Sequence, residues 1–231
     1  MSTVVICSGG LESITLAYQV KAQGAIARLV SFDYGQRHKV ELRFATRAAH
    51  DLGVPHDMID ISGLTRFLAG SALTDDIDVP DGHYAQDNMQ ITVVPNRNAI
   101  FLAIAYGVAA GEKASSVAAA FHSGDHFVYP DCRPAFVDAF RVMQNRATEG
   151  LWEIDLHAPF VEASKADIVK IGSGLGVPFE KTWSCYKGGA RHCGRCGTCV
   201  ERLEAFYLTG VTDPTAYEDR EFWREACGID A

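Results

Sequence analysis

Val4-Val5-Ile6-Cys7-Ser8-Gly9-Gly10-Leu11-Glu12-Ser13 is an apolar run that passes directly into a turn of two serines and two glycines. Leu11, Ile14, Ala17 and Tyr18 then share one helical face, and Gly24 ends the pattern before the next apolar run. That order predicts strand, tight turn and helix. Free backbone N–H groups at the start of such a helix, with roughly half a positive charge from its dipole, make an anion site. The glycines allow close approach of phosphate oxygens and the serines add hydroxyl donors, so pyrophosphate suits the turn best. A serine-capped glycine turn without a ligand would read the same in isolation; its place after the first strand gives it weight. Neither the G-x-G-x-x-G spacing nor the G-x-x-x-x-G-K-[ST] spacing is present.

Outward from this unit, β-type apolar runs recur at residues 3–7, 26–32, 58–61 and 116–119, separated by segments of helical spacing. Helices are predicted over about residues 40–52, 98–107, 134–146 and 165–175. The alternation predicts an α/β fold, a parallel sheet with helices on both faces. Residues 69–93, rich in Asp, Gly and Ser, read as a long loop that either covers a site or is a surface insertion. From residue 183 the composition shifts to Cys, Gly and Lys/Arg, which suggests a nucleotide-binding domain over 1–182 and a small C-terminal appendage over 183–231.

The chain has 231 residues, 48% of them hydrophobic, enough for a substantial core. With 21 basic against 29 acidic residues, its net charge of -8 offers no general field for a phosphate backbone, so direct nucleic-acid binding is not expected. The N-terminus lacks the pattern of a signal peptide and no run of about 18 apolar residues occurs, so the expected location is cytoplasmic, without a membrane anchor. Of the 7 cysteines, Cys185, Cys193, Cys196 and Cys199 form C-x7-C-x2-C-x2-C, with Gly194 and Gly197 giving the backbone freedom to wrap an ion. Four thiolates at this spacing point to tetrahedral zinc, with an iron–sulfur cluster as the alternative. A closed four-sulfur shell leaves no position for an activated water, so the metal is expected to be structural. His192 is placed outside that shell, at the surface or facing a substrate.

The remaining polar clusters fall where strands end. Phe32-Asp33-Tyr34-Gly35-Gln36-Arg37-His38 follows the second strand, and ligands of open α/β sheets bind at that carboxyl edge. Pro95-Asn96-Arg97-Asn98 opens a helix; Arg97 suits a phosphate or carboxylate, and the two Asn side chains suit either capping or recognition. His122-Ser123-Gly124-Asp125-His126 and Tyr129-Pro130-Asp131-Cys132-Arg133 add two more loops, whose histidines, taken singly, read as ordinary loop residues. Lys165 lies at the start of a helix, where a cation is ill matched to the dipole unless an anion is near.

The turn at Ser8–Ser13 resembles the PP-loop, S-G-G-x-D-S, of ATP pyrophosphatases, with Glu12 where that pattern carries Asp. Together with FDYGQRH (32–38), VPNRN (94–98), YPDCR (129–133), SKADIV (164–169), TWSCYKGG (182–189) and HCGRCGTCVER (192–202), the chain resembles the 7-cyano-7-deazaguanine synthase family over nearly its whole length. The resemblance implies an adenine nucleotide alpha hydrolase-like fold of PP-loop type with a zinc-binding appendage. It implies conversion of 7-carboxy-7-deazaguanine and ammonia to the nitrile preQ0, a queuosine precursor, with ATP, Mg2+, a structural Zn2+ and a homodimer. It further implies ATP binding by Ser8, Gly9, Gly10, Leu11, Glu12 and Ser13, and catalytic roles for Glu12, Arg97 and Lys165. Tyr34, Gln36, Arg37, Asp131 and Arg133 become candidates for substrate recognition, and Cys185, Cys193, Cys196 and Cys199 for the metal. The longer Glu12 leaves open a ligase that stops at the amide or uses another amine, or a nucleotide-binding homologue with impaired catalysis. A tRNA-modifying PP-loop enzyme would need a basic surface.

Overall fold

The computed structural model describes residues 2–229. Five parallel strands, β1 (Ser2–Ile6), β2 (Ala25–Asp33), β3 (His56–Asp60), β4 (Ser116–Ala118) and β5 (Asp155–His157), lie in the order β3-β2-β1-β4-β5. The order runs one way from β1 to β3 and the other way through β4, so the sheet has its topological switch point at β1. A crevice opens there beyond the strands' carboxyl ends.

Side chains alternate across the strands and feed two apolar layers. Val4, Val30 and Val117 point to the face that also holds Leu102 and Tyr106 of α3 (Arg97–Gly111) and Val137 and Phe140 of α4 (Pro134–Ala147). Val5, Leu29 and Ala118 point to the other. There they meet Leu11 and Ile14 of α1 (Leu11–Gln23), Ala45 of α2 (Val40–Leu52) and Ile168 of α5 (Lys165–Gly174). Helices therefore cover both faces, as the strand–helix alternation predicts.

Two elements carried too little sequence signal to be predicted. β5 is three residues long, and only its central Leu156 is buried, so it shows no apolar run. A helix, α6 (Gly197–Thr209), begins inside the cysteine region and is followed by the short α7 (Phe222–Ala226). Ala205 and Phe206 of α6 enter the second apolar layer, whereas the four clustered cysteines belong to the first. Residues 69–93 form one short 3-10 turn, Asp87–Thr92, and are otherwise irregular, but Ala72, Leu73, Val79 and Met89 are buried in the first layer. This segment is packed rather than free.

Gly9 adopts a positive φ of 94°, and a Cβ there would run into the Glu41 carbonyl of α2. Gly53, at φ 63°, has open space instead. Gly9→Ala should therefore cost at least ~2 kcal/mol, from strain and displaced backbone together, against ~1 kcal/mol for Gly53→Ala. Urea unfolding of the two variants checks this; an equal loss would mean that α2 yields to the methyl group.

Candidate active site and thiolate cluster

A cavity of about 190 Å³ sits at the switch point, walled by Ser8, Gly10, Glu12 and Ser13 after β1 and by Tyr34 beyond β2. Arg97 and Phe101 of α3, His122 and Asp125 after β4, and Lys165 of α5 complete it. The turn is held by its own hydroxyls. Ser13 Oγ accepts the Ser8 N–H at 3.2 Å and lies 3.1 Å from Ser8 Oγ, while Gly10 N–H donates to Ser8 Oγ at 3.3 Å. No side chain caps α1, so its first-turn amides remain available to an anion. The Leu11 side chain is buried in the core, which leaves only its backbone for phosphate.

At one end of the turn lies a buried charge network. Lys165 is 5% exposed; its Nζ lies 2.8 Å from Glu12 Oε1 and donates also to Glu201 Oε2. Burial opposes ionisation of Glu12, but the charge of the Lys165 ammonium beside it outweighs that and holds the carboxyl at about 2. Burial likewise pulls Lys165 down, and Glu12 and Glu201 more than reverse that, so the ammonium is firmly charged. The local reason for this placement is a capping box. Ser164 Oγ accepts the Asp167 N–H at 3.2 Å and Asp167 Oδ2 accepts the Ser164 N–H at 3.1 Å, starting α5 so that Lys165 faces inward. The anions beside this helix-start lysine are thus two carboxylates of the chain itself.

Arg97 behaves differently. Its guanidinium lies 5.8 Å from the Tyr34 ring and 3.5 Å from the Tyr34 hydroxyl, and among the described residues no carboxylate pairs with it. A cation in the cavity without an anionic partner is suited to a phosphate or carboxylate ligand. Burial pushes the Tyr34 phenol up to about 12, so it stays a neutral hydrogen-bonding group.

The other candidates for substrate recognition turn away from the cavity because tertiary hydrogen bonds claim them. Gln36 is buried, accepting the Tyr34 N–H at 3.0 Å and donating to the Phe32 carbonyl at 3.1 Å, so it shapes the loop. Arg37 donates to the Ile77 carbonyl and Arg133 to the His126 carbonyl. Asp131 caps α3 by accepting the Asn98 N–H at 3.0 Å. Of the five, Tyr34 alone lines the cavity. His192 is also corrected: it is 3% exposed, and its Nε2 accepts the Ser184 N–H at 2.9 Å. Burial and the nearby Arg202 drive its imidazole down to about 3, so it serves packing.

Sequence reading missed Glu201, which sits between Val200 and Arg202 in a buried stretch of α6, and underrated His122, whose Nε2 lies 3.3 Å from Asp125 and 3.9 Å from Glu12. An acidic residue among buried apolar positions was the available signal for Glu201.

The four cysteine sulfurs lie within 4.8 Å of one another, and those of Cys193 and Cys199 are 3.9 Å apart, too far for a disulfide. Backbone N–H groups of Cys193, Arg195 and Cys196 point at the sulfurs of Cys185 and Cys193 at 3.3–3.4 Å, an arrangement that favours thiolates. The donor set fits a metal ion. The same segment anchors the 69–93 region, since Asp81 pairs with Lys187 at 2.6 Å and Arg195 at 3.0 Å, and Gly82 N–H donates to the Arg195 carbonyl. It also reaches the phosphate turn, through the Trp183 N–H donating to the Gly9 carbonyl at 2.9 Å.

A parallel α/β sheet with a cavity and a glycine turn at its switch point places the protein in the open α/β class, whose ligands bind beyond the carboxyl ends of the strands. The chain belongs to the family described as "Queuosine biosynthesis protein QueC", whose model matches residues 2–210. It is 66% identical over 223 residues to 7-cyano-7-deazaguanine synthase of Sinorhizobium fredii, covering 96% of this chain and 94% of the relative. It is 65% identical over 226 residues to the synthase of Allorhizobium ampelinum (98% and 96% covered). The synthase of Brucella anthropi is 64% identical over 226 residues (98% and 97% covered).

Two outcomes follow from this geometry. Arg202 is fully buried and paired with Asp213 through two contacts of 3.1 Å, so Arg202→Ala should cost ~3–5 kcal/mol by stranding a buried carboxylate; denaturant unfolding measures it. Stripping metal with a strong chelator should expose residues 69–93 to protease well before the sheet, because their anchors ride on the thiolate segment. Uniform cleavage along the chain would contradict that linkage.

Proposed function

We propose that the chain makes 7-cyano-7-deazaguanine from 7-carboxy-7-deazaguanine and ammonia, using ATP. The observation that carries this reading is the unpaired Arg97 facing the Ser8–Ser13 turn and the Glu12–Lys165 pair across one cavity, in a chain of this family.

A carboxylate cannot expel oxide, so its oxygen must first become a leaving group. The acid's carboxylate oxygen attacks the α-phosphorus of ATP and pyrophosphate leaves onto the turn; ammonia then attacks the acyl carbon, AMP leaves with the bonding electron pair, and the nitrogen sheds a proton to give the amide. Activation of the resulting amide oxygen by a second ATP allows dehydration to the nitrile. Arg97 and Lys165 offset charge that develops on the phosphates, and the neutral Tyr34 offers the substrate a hydroxyl and an aromatic face. Glu12 Oε2 lies toward the turn, 3.3 Å from where a Cβ on Gly10 would stand, and fits Mg2+ carried with the pyrophosphate. Cys185, Cys193, Cys196 and Cys199 hold Zn2+, which supplies structure to the 183–231 unit and no reacting ligand. The remaining substrate candidates act at a distance, Gln36 and Asp131 by fixing the loop and the start of α3. The working form is a cytoplasmic homodimer; among the described residues no helix is long and apolar enough to cross a membrane, and Val142, Met143, Leu151 and Trp152 are exposed at and after the end of α4.

The test is product analysis by mass spectrometry after incubation with the acid, ATP, Mg2+ and ammonium. Nitrile with two AMP per molecule is expected. Amide as the end product would favour the shorter reaction that Glu12, one methylene longer than the pattern's Asp, brings into view; no AMP at all would remove the enzymatic reading. Arg97→Met, which breaks no ion pair among the described residues, should lower kcat/KM by about 10²–10³ with melting temperature preserved.

A further inference from the structure

Beside the reaction cavity lies a second, much smaller one of about 20 Å³, and the two share Asp125, Tyr186 and Thr198 as common walls. A space of that size holds one water-sized molecule. Its distinctive wall is Glu201, whose residue is 6% exposed. One carboxylate oxygen, Oε2, takes the Lys165 ammonium, while Oε1 accepts no hydrogen bond from the described residues, and its nearest charged-capable neighbour is His122 Nδ1 at 3.8 Å. That nitrogen is already engaged, accepting the Gly124 N–H at 3.2 Å, which puts the imidazole proton on Nε2, toward Asp125. Glu201 Oε1 is not sealed among the buried atoms that lack a partner, so it can accept from a donor that enters the cavity.

Charge points the same way. Glu12 and Glu201 flank Lys165, whereas Asp125 lies 3.3 Å from His122 Nε2 and, among the described residues, pairs with no lysine or arginine. The remaining walls of the small cavity include the paired hydroxyls of Thr92 and Tyr129, 2.5 Å apart, which add neutral acceptors. The occupant this lining selects is small, cationic and rich in N–H donors.

We propose that this cavity is the binding site for ammonium, the nitrogen source of the reaction, held by Glu201 and Asp125, and that one of these carboxylates takes the proton ammonium must lose before its nitrogen can attack the acyl carbon. The proposal rests on the synthase reading above. Glu201 then has two roles in one side chain: Oε2 positions Lys165, and Oε1 receives the nitrogen donor. Asp125, common to both cavities, lies on the short path between them.

The experiment compares wild type with Asp125→Asn and Tyr129→Phe, using ammonium chloride as the probe. Nitrile formation is followed against ammonium concentration, and acid-dependent exchange of pyrophosphate into ATP is followed separately, since activation needs no ammonia. Asp125→Asn should raise the KM for ammonium about ten-fold or more; Tyr129→Phe, which lies outside the reaction cavity, should raise it about five-fold with the KM for ATP and the exchange rate unchanged. Methylammonium, too large for the cavity, should not compete with ammonium. An unaltered ammonium KM in both variants, a parallel rise in every KM in Tyr129→Phe, or competition by methylammonium would each overturn the assignment. Tyr129→Phe removes one hydroxyl and keeps the ring, so it provides the test should Asp125→Asn fold poorly. Absence of exchange and nitrile in the wild type would instead overturn the synthase reading, so the two failures are distinguishable.

Discussion

The buried ammonium of Lys165 ties together parts of the chain that the fold alone leaves separate. It joins Glu12 of α1 to Glu201 of α6 from its own place at the start of α5, so three helices meet at one charge. Taking a lysine out of water is unfavourable unless carboxylates surround it, and each carboxylate needs the lysine in turn. The phosphate turn is thereby fixed from its far side, while Gly9 fits it against α2 on the near side.

From that point the C-terminal segment acts as part of the active-site wall. Trp183 hydrogen-bonds the turn's backbone, Ser184 and Tyr186 line the cavity, and the thiolate cluster fixes the chain immediately beyond. Arg202, one residue after Glu201, carries the same organisation outward through Asp213, Thr182 and Thr215. Thiolate cluster and cavity are therefore neighbours through the chain as well as through space.

Much of this was legible in the sequence. The apolar run into Ser8–Ser13 located the turn that lines the cavity, the alternation of periods gave a parallel sheet covered on both faces, and cysteine spacing singled out the four clustered thiols. Legibility failed where a side chain's direction depends on a distant partner. Gln36, Arg37, Asp131 and Arg133 are polar and stand at the expected edge, yet each finds its hydrogen bond elsewhere, and nothing local reveals that. β5 was missed because three residues carry no periodicity, and Glu201 because its partner lies 36 residues away on another helix. His192 was misplaced because a histidine beside a cysteine cluster reads as polar until Trp183 and the Ser184 amide enclose it.

One consequence of α6 concerns chain length. Cys199 and Glu201 sit two residues apart on the same helix, the first facing the thiolate cluster and the second facing Lys165. One residue inserted between them would rotate the carboxylate by about 100° around the helix and leave the spacing of all four cysteines untouched. Insertions and deletions at this point cannot be absorbed, so α6 works as a protractor between the thiolate cluster and the lysine.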